Sequence, residues 1–327
     1  MMQRYYLGQS TSTLVVFTYV AITLATISGV GCSDQELVLL NLGDTAVVSG
    51  DYDIIEDVLT IIGSDVTLNF DLFDGYLSGP WDYEALPGQE NNNGRRSLSP
   101  NGDAMELLTD PNGLTQYDTL FLNCGFRTID PETFNPNLTD PPNEVDGVIA
   151  QNLRSFVYEG GSLYASDWAY LAVEEAWPEK IDFYPPDPPA EDTRFLHPTA
   201  GPSRGYPTGY QEDYLKVFGR VTSDPLKNAI GKSLVEVDYN LSHWIVIDSV
   251  ASDVTTFVRG DILLLDEVGS GRGPVLSDRP LLVGFEYGAG KVFFTTFHNE
   301  SPDENLNNAN ADMFDILNFL VFEFHRE

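Results

Sequence analysis

Apolar residues in this chain follow two rhythms: short unbroken runs, and stretches that recur every three or four positions. "TAVVSG" (45–50) is a short run that reads as a strand. Asp51 and Asp53 are good helix starters, and Ile54, Ile55, Val58, Leu59 and Ile62 recur at helical spacing. "SDVTLNF" (64–70) is rich in strand formers, and "YDTLFLNCG" (117–125) is an apolar strand stopped by a glycine. Next, Val145, Ile149, Leu153, Phe156 and Val157 mark one face of a helix closed by Gly160 and Gly161. "SLYASD" (162–167) predicts a strand and "WAYLAVEEAW" (168–177) a helix stopped by Pro178. "LVEVDYN", "HWIVIDS" and "VTTFVRGD" continue as strands between 234 and 261. "RPLLVGFEYGAGKVFFTTFHNE" (279–300) predicts a hairpin turning at Gly288-Ala289-Gly290. A last helix places Met313, Phe314, Leu317, Leu320, Val321 and Phe324 inward.

Strands alternating with helices imply parallel β-α-β units. Strands buried on both faces are continuously apolar, as these are. The expected fold class is α/β: a three-layer α/β/α domain with a mostly parallel central sheet, spanning 45–327. Two stretches interrupt the alternation. Residues 71–113 contain "LSGP", "LPGQ" and "NNNGRRS", which predict a long loop. Residues 178–235 include a segment crowded with Pro and Gly (183–210) that should be mostly irregular. We read both as insertions in one domain. The chain has no internal repeat.

Charge narrows the partners. With 50 acidic and 17 basic residues the chain carries −33, which repels nucleic acid and anionic lipid headgroups. A calcium-binding surface is the sharper reading of so many carboxylates, yet no D-x-[DN]-x-[DN]-G loop is present. At the start, Arg4 precedes the apolar stretch 14–31, and Cys32 is followed by polar "SDQE". This is secretory signal architecture. It leaves three expectations open, all placing 33–327 outside the cytoplasm: a lipidated Cys32, an uncleaved anchor, or an ordinary cleaved signal. The placement of Cys32 resembles a bacterial lipobox, with Gly29 where that pattern usually has Leu. The resemblance implies residues 1–32 as signal and lipobox, 33–44 as linker, and a membrane anchor through lipid on Cys32. If Cys32 carries lipid, Cys124 has no disulfide partner.

Candidate chemistry sits at strand ends. The segments "LFLNCG", "GGSLYASDWAYL" and "FTTFHNE" occur in that order and resemble the class I glutamine amidotransferase-like superfamily. They are similar to its trehalose-utilisation-like branch, in which the nucleophilic cysteine is missing. The resemblance implies a flavodoxin-like fold with an oxyanion strand, a strand-to-helix elbow, and a histidine base with its orienting glutamate. On it Asp167 falls on the cysteine's place, His298 and Glu300 on the base and orienter, and Cys124 near the oxyanion strand. Asn123, Cys124, Gly125, Ser166 and Trp168 then surround the pocket. Amide hydrolysis needs a thiolate at the elbow, so glutaminase activity is not expected of a chain with Asp167 there.

Three readings of Asp167, His298 and Glu300 follow. The leading one is a degenerate site in a binding or structural lipoprotein, with Asp167 capping the helix that starts at Trp168. The second is an extracytoplasmic hydrolase of sugars or esters using Asp167 and His298. The third is a mixed N/O metal site, thin because one histidine serves it and no H-E-x-x-H occurs. We assign no metal and no cofactor. The expected partner is a small molecule or an envelope protein. Cys124 reads as a buried small hydrophobe rather than a reactive thiol. Trp168, Tyr170 and Trp177 read as core, with Trp168 also placed to stack on a sugar ring. His197 and His243 are isolated, and the glycosylation patterns at Asn137, Asn240 and Asn299 do not suit a bacterial-style leader.

Overall fold

A computed structural model describes residues 44–50, 53, 55–62, 70–75, 101–126, 144–184, 215–239, 245–265, 272–297 and 311–323. The first half supplies strands β1 (Thr45–Val48), β2 (Phe70–Asp74), β3 (Gly102–Asp103), β4 (Thr119–Leu122), β5 (Ser162–Ser166) and β6 (Ile181–Phe183). Between them lie helices α1 (Ile55–Ile62), α2 (Ala104–Thr109), α3 (Glu144–Tyr158) and α4 (Tyr170–Ala176). The second half supplies β7 (Leu215–Val221), α5 (Asp224–Ile230), β8 (Leu234–Tyr239) and β9 (Ile247–Val250). It ends with β10 (Thr255–Leu265), β11 (Arg272–Tyr287), β12 (Gly290–Thr295) and α6 (Ala311–Glu323).

Ten of these strands form one sheet in the order β3-β2-β1-β4-β5-β12-β11-β10-β7-β8, and β6 pairs with β9 separately. From β3 to β12 neighbouring strands run parallel. From β12 to β8 they run antiparallel, giving a wing attached to a parallel half. Side-chain alternation shows why the parallel strands are apolar throughout. Ala46, Val48, Leu120, Leu122, Leu163 and Ala165 pack in one core with α2, α3 and α4. Val47, Phe121, Tyr164 and Phe293 pack in a second core with α1 and α6. Helices therefore cover both faces, and the domain is the expected three-layer α/β/α fold with a mostly parallel sheet.

The hairpin β11–β12 turns on two residues, because Tyr287 pairs with Gly290. Gly288 takes φ 63°, which suits the first position of a type II′ turn, and an added Cβ would lie 2.3 Å from the Tyr158 carbonyl oxygen.

Two expectations are corrected at their margins. The predicted loop 71–113 contains most of β2 and, at its end, β3 and α2. Residues 178–235 hold β6, β7 and α5 as well as residues 185–214, which lie outside the described set. Both missed helices, of 6 and 7 residues, are too short for a 3.6-residue period to register. Their termini were legible instead. Asp103 caps α2 by accepting from the amides of Met105 at 2.7 Å and Glu106 at 3.2 Å. Ser223 accepts from Leu226 N–H at the start of α5, and Gly231 ends it at φ 68°.

The wing's outer strand is closed by side chains. Residues of β8 that face away from β7 donate to α6: Glu236 N–H to Asp312 Oδ2 at 2.7 Å, and Asp238 N–H to Met313 Sδ at 3.4 Å. Lys232 Nζ also reaches Asp312 Oδ1, and this hydrogen bond holds the lysine pKa above its ordinary value. An exposed strand edge invites pairing with another chain, and here α6 occupies two of the edge's donors. Asp312→Ala should lower stability by about 1–2 kcal/mol and produce concentration-dependent light scattering. Denaturant titration and static scattering check this.

Candidate functional site

The carboxyl ends of β1, β4, β5 and β12 converge, and there lie most of the buried polar side chains among the described residues: Ser49, Asp53, Asn123, Ser166, Asp167, Thr295 and Thr296. From β1 the chain runs to β2 on one side, then returns through β3 and α2 to β4 on the other. In open α/β sheets such a reversal is where sites form. Gly50, past the end of β1, lies against the β4 end so tightly that a Cβ would be 2.1 Å from the Cys124 carbonyl oxygen. Beyond β4, Asn123 to Phe126 make a tight turn with Gly125 at φ 82° and Phe126 N–H donating to Asn123 O at 3.1 Å. A positive φ at that position calls for glycine.

Asp167 follows β5 directly, at φ 40°, a left-handed conformation that costs a non-glycine residue about 1–2 kcal/mol. Such strain persists where the surroundings over-determine it. The surroundings are visible. Oδ1 accepts the Ile245 amide at 2.7 Å, from the chain entering β9, and Oδ2 lies 3.5 Å from Cys124 Sγ. The short 3-10 turn Asp167–Ala169 has Ser166 as its cap residue with no side-chain cap bond, and α4 likewise has none. The expected capping role is thus corrected: the carboxylate ties β5 to the β9 approach and to β4 rather than to its own helix.

A second polar pair lies beside it. Ser166 Oγ donates to Asp53 Oδ2 at 2.5 Å. Asn123 Nδ2 donates to Glu56 Oε2 at 2.8 Å and to the Asp53 carbonyl at 3.4 Å. Asn123 Oδ1 has no hydrogen-bond partner among the described residues. From the wing, Tyr239 O–H shares a 2.7 Å hydrogen bond with Thr296 Oγ1. Burial, and secondarily the negative charge of Asp167, push the Tyr239 pKa well up, so the phenol stays protonated. Tyr164 O–H meets Thr295 Oγ1 at 2.9 Å, which fixes the end of β12 just before the "FHNE" motif.

Asn123, Cys124, Ser166 and Asp167 lie together at this end of the sheet, with Gly125 shaping the turn. Trp168 is half-buried, edge-on to Tyr170 at 6.3 Å, and packs against the α2–α4 core; Tyr170 and Trp177 are fully buried there. His298, Glu300, Cys32, His197 and His243 lie outside the described residues. Sequence reasoning missed Asp53 as a site residue, treating it as a helix starter, and missed Glu56, Tyr239 and the Ile245 amide. The available signal for Asp53 was its position three residues past Gly50, at the end of β1.

The cluster is closed. Asp53, Asn123, Cys124, Ser166 and Asp167 are each 0% exposed. Among the described residues no group of three or more His, Cys, Asp or Glu side chains is arranged to hold a metal ion. A cavity of about 440 Å³ lies elsewhere, between β7, α5 and β8. Cys124 serves here as a buried hydrogen-bond donor, its Sγ directed at Asp167 Oδ2.

No protein-family model and no curated protein matches the chain. Among solved structures it is similar to PurLQS from Thermotoga maritima, at 14% identity over 86% of this chain and 99% of that one, with a TM-score of 0.43. A glutamine amidotransferase from the same organism aligns at 10% identity over 78% and 75%, with a TM-score of 0.38. A β-galactosidase from Rahnella sp. R3 aligns at 10% identity over 86% of this chain and 31% of its own length, with a TM-score of 0.41. The fold assignment rests on the strand order and two-sided burial described above.

Proposed function

We propose that this chain is a cell-envelope lipoprotein whose class I glutamine amidotransferase-like domain carries a catalytically degenerate site and serves in binding or structure. One observation carries the reading: the residue at the elbow is a fully buried carboxylate with an amide and a thiol held against it. Hydrolysis of an amide through an acyl-enzyme needs an approachable nucleophile and a donor-lined hollow for the oxyanion. Asp167 supplies neither. An extracytoplasmic hydrolase working through Asp167 and His298 also requires a carboxylate that substrate can touch. The leader sequence supports the envelope location, with Cys32 as the lipidated residue.

Two measurements on the full chain, expressed in a bacterial host, test this. Ammonia release from glutamine should stay at the buffer blank. Radiolabelled palmitate should enter the wild-type chain and be absent from Cys32→Ala. Glutamine turnover that disappears in Asp167→Asn would overturn the degenerate-site reading, and equal label in both chains would overturn the lipoprotein reading.

A further inference from the structure

The sheet's two halves are covered differently. In the parallel half, helices lie on both faces. In the wing, Val217, Val221, Val235, Val237 and Tyr239 point to the core shared with α5 and α6. The alternate residues point the other way, where Phe218 is 66% and Leu234 58% exposed. These two sit on adjacent strands, since Phe218 pairs with Glu236 and Arg220 with Leu234. Isolated exposed apolar residues are ordinary, but a large phenyl ring beside a leucine on a sheet face that no described helix covers invites cover.

Charge says what can cover it. Residues 215–279 carry seven basic and nine acidic side chains, a formal −2 in a chain of −33. Two copies of this protein repel each other through nearly all the remaining sequence at separations within a Debye length of about 10 Å. They can approach closely across the wing. On this face the signs also interleave. Lys216 reaches Glu236 and Asp238, while Asp278 bridges Arg220 at 2.9 Å and Arg259 at 3.1 Å. These three basic and three acidic side chains sum to zero and are paired within the chain, so an identical face brought against them by a two-fold axis, as in an isologous dimer, meets no net repulsion. The 440 Å³ cavity, lined in part by Arg220, Lys227 and Leu234, adjoins this face and gives facing side chains room to seat.

Asp312 and Met313 accept two of the outward N–H groups of β8, those of Glu236 and Asp238, which disfavours edge-to-edge pairing and leaves the face for contact. We infer that the open face of β7, β8 and β10 is the interface of a two-fold homodimer, with Phe218 and Leu234 as its apolar centre.

Sedimentation equilibrium of the full chain in density-matched non-ionic detergent, at 0.15 and 0.5 M NaCl, tests this. The wild type should sediment as two chains at both salt concentrations. Phe218→Asp and Leu234→Asp should each raise the dissociation constant about tenfold or more. Both positions are more than half exposed, so circular dichroism should stay unchanged. Val148→Asp, at an exposed position of α3 remote from the wing in sequence, should leave the dimer intact. A wild type of one-chain mass at every concentration would overturn the inference. So would a dimer that survives both wing substitutions, or one that Val148→Asp dissociates.

Discussion

Replacing Gly50 by alanine should destabilise the fold by about 3 kcal/mol, although it adds a single methyl group. The new Cβ would lie 2.1 Å from the Cys124 carbonyl oxygen, 2.8 Å from its carbon and 3.0 Å from Asn123 Cβ. None of these is the tip of a flexible side chain, so relief requires moving backbone. The backbone is pinned. Ser49 N–H donates to Phe73 O at 2.9 Å and Asn123 N–H to Val48 O at 3.2 Å, holding β1 between β2 and β4. Parting the strand ends breaks one of those bonds or shifts Cys124 off Asp167. A second readout follows: the Cys124 thiol, fully buried in the wild type, should become reactive toward a thiol reagent in Gly50→Ala. Gly147 offers the contrast. It lies in α3 with nothing within 4 Å of an added Cβ, so Gly147→Ala should stabilise by about 0.5–1 kcal/mol. Denaturant titration of both variants, beside thiol labelling of the first, checks the pair.

Which parts of this were legible before coordinates depended on the range of the interaction that fixed them. The runs around Val47, Phe121, Tyr164 and Phe293 marked the central parallel strands because two-sided burial leaves an unbroken apolar signature. The spacing of Ile149, Leu153, Phe156 and Val157 marked α3 for the analogous helical reason. Helices α2 and α5 escaped, since one or two turns do not repeat a pattern, and only Asp103 and Ser223 announced them. Within the site, Asn123, Ser166 and Asp167 were visible as polar residues ending apolar strands. Asp53 was visible but misread, because aspartate near a helix start has a local explanation that competes with the distant one. The Ile245 amide and Tyr239 were out of reach: they meet Asp167 and Thr296 from 78 and 57 residues away, and a backbone N–H leaves no trace in sequence. The wing's near-neutrality could be counted from sequence, but the exposure of Phe218 and Leu234 could not.

The degenerate-site account makes Asp167 an anchor, and anchors and reactive groups respond oppositely to truncation. Asp167→Ala leaves the buried Ile245 N–H without its acceptor, a loss of about 1–3 kcal/mol, and strips Cys124 of its carboxylate partner. Alanine also keeps the left-handed strain at φ 40° with less to hold it there. Relief from burying a charge offsets part of this, leaving an expected net loss of about 2–3 kcal/mol. Asp167→Asn retains the Oδ1 acceptor and should lose about half as much. A group kept for catalysis at a strained position usually sits there at the expense of stability, so removing it is neutral or stabilising.

Asp167 is a buried carboxylate whose two oxygens join the end of β5 to the Ile245 amide and to the Cys124 thiol. Equilibrium unfolding of the intact chain in urea, wild type against Asp167→Ala, measures this directly. A midpoint moved to lower urea at unchanged slope is the predicted result. A midpoint that stays in place or moves higher would contradict it.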